Sequence, residues 1–428
     1  MTRPGRNLKE HEMDFAYSPK VQELQARVRD FIDSHVLTRN KQWRHEIEAG
    51  HFPPPFLDDL KALAKSDGLW NLFLPGLHDD EPGTPLTNLE YAPLAELMGR
   101  IPWASEVFNC SAPDTGNMEL LHLFATPEQR TKWLNPLLNG EIRTCFAMTE
   151  PDVASSDATN IATSIRRDGA DYVINGRKWF ISGAADPRCK IAIVMGVTNP
   201  DAEPHRRQSM VLVPTNTPGF DVVRSTTVVN HETPIGHCEI VFRNLRVPRS
   251  NLLGEEGGGF ALAQARLGPG RIHHCMRSIG QCEVALQLMI ERSQERKTFG
   301  KYLHEHGTVA EWIALSRCEI DQARLLVLKT AWMLDTVGNK AASKEISMIK
   351  AIVPRVHTSV ADRAMQAFGA MGLSQDTPLA DIWTTGRLLR IADGPDEVHL
   401  RAIARDEIRR SRTNLGAASA YLTPPDRL

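Results

Sequence analysis

Three carboxylates, Asp393, Asp396 and Glu397, crowd a Gly-Pro turn in RIADGPDEVH, residues 390–399. A carboxylate serves as a general base when burial keeps its conjugate acid from being too acidic, and as an ordinary helix-start charge when it faces water. Asp393 directly follows the apolar pair Ile391-Ala392, so of the three it is the one expected to be buried and able to take a proton. Asp396 and Glu397 come after Gly394-Pro395 and read as acids that open the next helix.

Four other stretches hold residue types that bind flat rings or phosphates. CFAMTEPDVASSD (145–157) runs from an apolar start through Thr149 to Ser155, Ser156 and Asp157. Amides and hydroxyls in such a turn either cap the entry to a strand or hold a heteroaromatic ligand. NGRKWFISGA (175–184) reads as a hairpin whose second strand presents Trp179, Phe180 and Ser182, as cross-strand packing or as an aromatic wall with a hydroxyl beside it. SQERKTFGK (293–301) ends a helix with cations that suit its dipole; alternatively Arg296 and Thr298 hold a pyrophosphate with Phe299 stacked nearby. RAMQAFGAMGLSQD (363–376) places Gln366, Gly369 and Gly372 at a helix end, as caps or as points where a ligand nears the backbone. The histidines of 304–306 and of HETPIGH (231–237) lack HExxH spacing and fit surface positions better than a metal. There is no P-loop and no GxGxxG; GPGRIH (268–273) has the wrong spacing.

The elements that must position these residues fall into three blocks. Ser18-Pro19 caps a helix striped by Val21, Leu24, Val28, Phe31 and Ile32, and further helical pieces are expected at 56–65, 89–98 and 127–138. From about residue 143 the pattern alternates, with Asp168-Gly169 and Asn175-Gly176 as hairpin signals, and short strands continue to about 248. Helical spacing then returns: Ile272, Met276, Ile279, Leu286 and Ile290 line a helix from Arg271, a second runs from 309 to 334, and Ile349, Val353, Val356 and Val360 stripe a third that Pro354 should kink. Consecutive long helices of this kind pack as an up-down bundle. The expected boundaries are 1–143 all-α, 144–252 β, 253–412 helical bundle and 413–428 a loose tail.

At 428 residues the chain fits two or three domains. Its 50 basic and 52 acidic residues nearly cancel, which supplies no global field for nucleic acid or an anionic membrane. Arg401, Arg405, Arg409, Arg410 and Arg412 form a basic run that reads as a solvated helix face rather than a DNA contact. Seven scattered cysteines without a CxxC suit free thiols in a reducing compartment. With no apolar signal core at the N-terminus and no run of about eighteen apolar residues, a cytoplasmic protein without membrane insertion is expected.

Taken in order, MTEP…SSD, NGRKWFIS, ERKTFGK, QAFGAMGL and ADGP resemble the acyl-CoA dehydrogenase family over essentially the whole chain. TEPDVASSD and ADGPDEVH look most like its branch of family members 10 and 11. The resemblance implies an α+β fold with an N-terminal helical domain, a middle β-barrel-like domain and a C-terminal four-helix bundle. It also implies FAD bound without a covalent link, oxidation of an acyl-CoA within fatty acid β-oxidation, and electron-transfer flavoprotein as acceptor. By position, Phe146, Met148, Thr149, Ser155, Ser156, Trp179, Phe180 and Ser182 would line the flavin, with Phe180 and Ser182 standing where many relatives carry Trp and Thr. Arg296, Thr298 and Phe299 would grip the FAD of a neighbouring subunit together with Gln366, Gly369 and Gly372, so a homodimer or homotetramer is implied. Pro395 and Glu397 are further cofactor positions, and Ser156, Arg271 and Gly394 substrate positions; no metal is implied. Asp393 stands where relatives carry a catalytic Glu, one methylene shorter, and Gly270 stands where some relatives carry the base instead. An Asp base on this fold also resembles nitroalkane oxidase, which makes an oxygen-using flavoenzyme of that kind, or an acyl-CoA oxidase, the alternative; a non-catalytic, DNA-binding relative is the remaining one.

Overall fold

Ser18 caps the first helix as its sequence predicts, its hydroxyl accepting from the Val21 N–H, and Val21, Leu24, Val28 and Phe31 turn inward. The computed structural model describes residues 16–414 together with Ala418, Tyr421 and Leu422. Most of the tail expected to be loose therefore lies outside the described residues.

The first block is helical: α1 (Pro19–Phe31), α2 (Asn40–Glu48), α3 (Phe56–Ser66), α4 (Asn88–Gly99), α5 (Ala104–Val107), α6 (Asp114–Phe124), α7 (Pro127–Gln129) and α8 (Asn135–Leu138). The helix expected at 127–138 is instead three short pieces, with a widened turn at Arg130–Leu134 between α7 and α8.

The second block is a single eight-stranded mixed sheet of β1 (Arg143–Ala147), β2 (Ser164–Asp168), β3 (Asp171–Ser182), β4 (Cys189–Val197), β5 (Gln208–Pro214), β6 (Phe220–Thr226), β7 (His237–Pro248) and β8 (Leu252–Leu253). β4 shows why the sheet sits where it does. Ala192 and Val194 enter the sheet's own core, while Ile191, Ile193 and Met195 enter the large helical core, so its apolar run is buried on both faces. Asp168-Gly169 makes the predicted turn, with Gly169 at φ 61°. Asn175-Gly176 does not: both lie inside β3, which runs unbroken to Ser182. The Asn175 side chain bonds across to Asn244 of β7, and a Cβ on Gly176 would collide with Thr163, so the pair forms a bulge rather than a reversal.

The third block holds α9 (Gly259–Glu295), a two-residue ribbon β9 (Lys297–Thr298) and β10 (Lys301–Tyr302), then α10 (Gly307–Ala341), α11 (Ser343–Phe368), α12 (Leu379–Leu389) and α13 (Asp396–Ser411). α9, α10 and α11 pack on one another, and α12 and α13 pack on α11. α9 begins twelve residues before the Arg271 expected from sequence and takes Pro269 inside it, because Leu262, Ala263, Arg266 and Leu267 are already buried there. α11 likewise continues through Pro354, and the backbone irregularity falls at Gly338 (φ 80°) near the end of α10. A Cβ at Gly280 would meet the Glu96 carbonyl, so the glycine lets α4 and α9 touch and fixes the helix that carries most of the site.

Candidate active site

Asp393 sits in the short turn between α12 and α13 with φ 55°, followed by Gly394 at φ 101°. Among the described residues, eight non-glycine residues adopt positive φ. Four are asparagines, which tolerate it, and the other four are Phe180, Val229, Phe299 and Asp393. Three of those four are positions singled out from sequence, and held strain of this kind concentrates where geometry is functional.

The turn is pinned from three helices. Arg271 Nε donates to the Asp393 carbonyl at 2.9 Å, Lys350 Nζ reaches the carbonyls of Leu389 and Gly394, and His399 Nε2 stands 3.4 Å from the Asp393 carbonyl. The carboxylate itself faces α9. Arg266 Nη1 lies 4.0 Å from Oδ1 and His274 Nε2 lies 3.5 Å from Oδ2. Arg266, Gly270 and His274 are spaced by four residues, so they share one face of the helix, with the glycine in the middle.

Two expectations about the three acids are corrected here. Asp393 is not the most buried: its side chain is 19% exposed, whereas that of Asp396 is 3% exposed and paired to Arg355 and Arg390 Nε at 3.0 and 2.9 Å. Asp396 is thus a buried anchor at the start of α13, and Glu397 alone is an exposed helix-start acid. Nor is Asp393 a weakly acidic group. Burial raises its pKa, but His274, Arg266, Lys350 and Arg271 outweigh that and hold it below the ordinary carboxylate range.

Arg266 joins this group to the second wall. Its guanidinium lies 4.3 Å above the Phe146 ring, and its Nε donates to Asn117 Oδ1 at 2.9 Å. Beyond Phe146, the end of β1 leads to half-buried Met148 and exposed Thr149, whose carbonyl accepts the Trp179 N–H at 3.0 Å. Trp179 meets Phe180 edge-to-face at 5.0 Å, Phe180 is 42% exposed, and Ser182 hydrogen-bonds the His237 ring. This is an aromatic and hydroxyl surface that the protein leaves partly uncovered, which fits a flat heteroaromatic cofactor. Beneath it, Lys178 is fully buried and donates to the carbonyls of Met148 and Met195 and to Glu150 Oε1 at 2.7–2.8 Å. Glu150 in turn accepts the N–H groups of Ala162 and Thr163, so this ion pair fixes the 148–150 turn. Ser155 is spent inside the same loop, accepting the Glu150 N–H, while Ser156 is exposed.

The other grip residues lie away from this surface. Arg296 caps the end of α9, and Phe299-Gly300 turns the β9–β10 ribbon with both φ angles positive. Phe299 is 95% exposed. Gln366 and Gly369 are exposed at the end of α11, while Gly372 is buried and a Cβ there would collide with the Met365 backbone.

Arg266, His274, Lys178 and Lys350 were not found from sequence. The spacing of Arg266, Gly270 and His274 would have shown the first two, had the helix been started before GPGRIH. Among the described residues, His78, Glu81 and His122 also bring ligating atoms within 4.8 Å of one another, but Glu81 there already pairs with Arg130 and His122.

The acyl-CoA dehydrogenase N-terminal, middle and C-terminal domain profiles match residues 18–141, 145–245 and 257–408. The chain is 58% identical over 411 residues to a probable acyl-CoA dehydrogenase, FadE2, of Mycobacterium tuberculosis, covering 95% of this chain and all of that one. It is 52% identical to acyl-CoA dehydrogenase family member 11 of Gallus gallus over 92% of this chain, and spans about half the length of that relative (51%). The structure of a putative acyl-CoA dehydrogenase from Mycobacterium abscessus superposes with a TM-score of 0.90 at 49% identity, over 93% of this chain and all of that one. With all three domains matched in order on the expected fold, the chain belongs to the acyl-CoA dehydrogenase family, FAD-dependent oxidoreductases that act on CH–CH donors.

Proposed function

We propose that this chain oxidises an acyl-CoA thioester to the 2,3-enoyl-CoA, with Asp393 removing the α proton. The setting of Asp393 carries the proposal. Its carboxylate is partly open, its carbonyl is held by Arg271, and its own N–H donates to no group among the described residues. A base beside an unspent backbone N–H can take the α proton while that N–H stabilises charge growing on the thioester oxygen. FAD, when bound, supplies the acceptor for the β hydrogen. Phe146, Met148, Thr149, Ser156, Trp179, Phe180 and Ser182 would hold its ring system. Arg271 keeps its Nη groups for the CoA-proximal part of the substrate, next to Gly394.

The exposed Phe299, Arg296, Gln366 and Gly369, with apolar Met371 and Leu373 also uncovered, support a homodimer or homotetramer that completes the FAD grip. The reading continues to electron-transfer flavoprotein as acceptor and to β-oxidation. A cytoplasmic setting agrees with seven free cysteines. None of the described helices is long and apolar enough to cross a membrane.

Asp393→Asn keeps the shape and removes the base. It should retain FAD, read by the flavin absorbance ratio, and slow anaerobic flavin reduction by the best acyl-CoA about 10²–10⁴-fold. Unchanged turnover overturns the assignment. One observation favours a second reading: the cations that make Asp393 a weaker base suit a more acidic carbon acid such as a nitroalkane. Reduction by a nitroalkane with peroxide release, and none by any acyl-CoA, would select it.

A further inference from the structure

His274 takes no part in the roles assigned above, yet its ring is the one that meets the Asp393 carboxylate. Its Nε2 is 3.5 Å from Asp393 Oδ2, and its Nδ1 is 3.4 Å from Arg277 Nη2. A guanidinium has donors only, so Nδ1 must offer its lone pair there. The proton of a neutral ring then sits on Nε2 and faces the carboxylate. Arg277 is itself held, through Nη1 to the Cys110 carbonyl at 3.3 Å. The three groups form a line of donors, Arg277 to His274 to Asp393, anchored on the backbone of the N-terminal helical domain.

We propose that His274, with its tautomer set by Arg277, is the positioning residue that holds the Asp393 carboxylate in line with the substrate α carbon. The proposal rests on the reading of Asp393 as the base. It accounts for how a base one methylene short of Glu is kept in place. Arg266 stands at one oxygen and His274 at the other, while Arg271 fixes the carbonyl behind them, so the short side chain has few other orientations. At 3.5 Å the contact is longer than a good hydrogen bond, as catalytic contacts without substrate commonly are. Burial, with Arg277 adding to it, lowers the His274 pKa to about 3, so the ring stays a neutral donor across neutral pH.

The test compares His274→Ala, His274→Gln and Arg277→Met with wild type, all FAD-loaded, by anaerobic stopped-flow reduction with the acyl-CoA that best reduces wild type. His274→Ala should keep FAD and substrate affinity but reduce the flavin about 10²-fold more slowly, the cost of roughly an ångström of misplacement. The acidic limb of its pH–rate profile should move up by about one unit, because a donor to the charged carboxylate has gone. The other titratable or charged groups facing Asp393, namely Arg266, Arg271 and Cys275 from α9, Lys350 from α11 and Asp396 and His399 from α13, are unchanged in His274→Ala and His274→Gln, so the shift reports on His274. His274→Gln, which restores an N–H, should recover most of the rate and the limb, and Arg277→Met should fall between. A His274→Ala enzyme within threefold of wild type with an unmoved limb overturns the proposal. If no acyl-CoA reduces wild type, the function proposed above fails instead. Crystal structures of the Ala and Gln variants still decide the positioning role: an Asp393 carboxylate in one rotamer in both overturns it, and a rotation in Ala alone upholds it.

Discussion

The Asp393 carboxylate stands opposite Gly270 of α9, which has no side chain: a Cβ there would lie 3.8 Å from Asp393 Oδ2. Side chains carried at 393 and at 270 would therefore reach toward one point in space. In Asp393→Gly/Gly270→Glu the carboxylate would approach that point from α9 instead. The single Asp393→Gly variant should lose flavin reduction by about 10²–10⁴-fold, and the double variant should recover at least tenfold of that loss. No recovery in a double variant that folds and holds FAD would show that the α carbon does not sit between the two positions.

Phe299 lies at the tip of a tight ribbon with almost its whole side chain in water. Covering a phenylalanine is worth roughly 2–3 kcal/mol. If a second subunit covers it, Phe299→Asp should weaken association and FAD retention together by about thirtyfold or more. Sedimentation and the flavin-to-protein absorbance ratio, read on the same samples, check this. An unchanged mass with full FAD would place the subunit contact elsewhere.

The three blocks and the Asp168-Gly169 turn were legible because each rests on local signals: helical stripes, a period of two, and residues that favour tight turns. What escaped was set by tertiary contact. Asn175-Gly176 carries a strong turn signal, but Thr163 and Asn244 from neighbouring segments turn it into a bulge. Gly268-Pro269-Gly270 looks like a helix breaker, yet burial of Leu262 through Leu267 carries α9 through it and brings Arg266 onto the face that meets Asp393. Lys178 resembles any lysine on an alternating strand, and only the fold shows three acceptors converging on it in the core. The relative burial of Asp393 and Asp396 was inverted because Arg355, on α11 and 41 residues earlier, claims Asp396.

Glu119 on α6 is buried with both carboxyl oxygens unpartnered, 3.9 Å from His273, whose two ring nitrogens are also unpartnered. Burial pushes the Glu119 pKa up to about 8, against a weaker pull from Arg266, and burial holds the His273 pKa well below its ordinary value. At neutral pH both are uncharged, and the carboxyl keeps its proton only while the chain is folded. Between about 4.5 and 8 the folded state therefore binds one more proton than the unfolded state, so this residue's contribution to stability is full below pH 4.5 and falls as pH rises through 8. The slope is about 1.4 kcal/mol per pH unit within that window. Glu119→Gln removes the titration and keeps the shape. Denaturant unfolding of wild type and variant from pH 5 to 9 should show the variant gaining stability relative to wild type as pH rises, levelling off above 8. A difference that stays flat over that range would mean that Glu119 is already ionised in the folded protein, paired with Arg266 rather than held neutral beside His273.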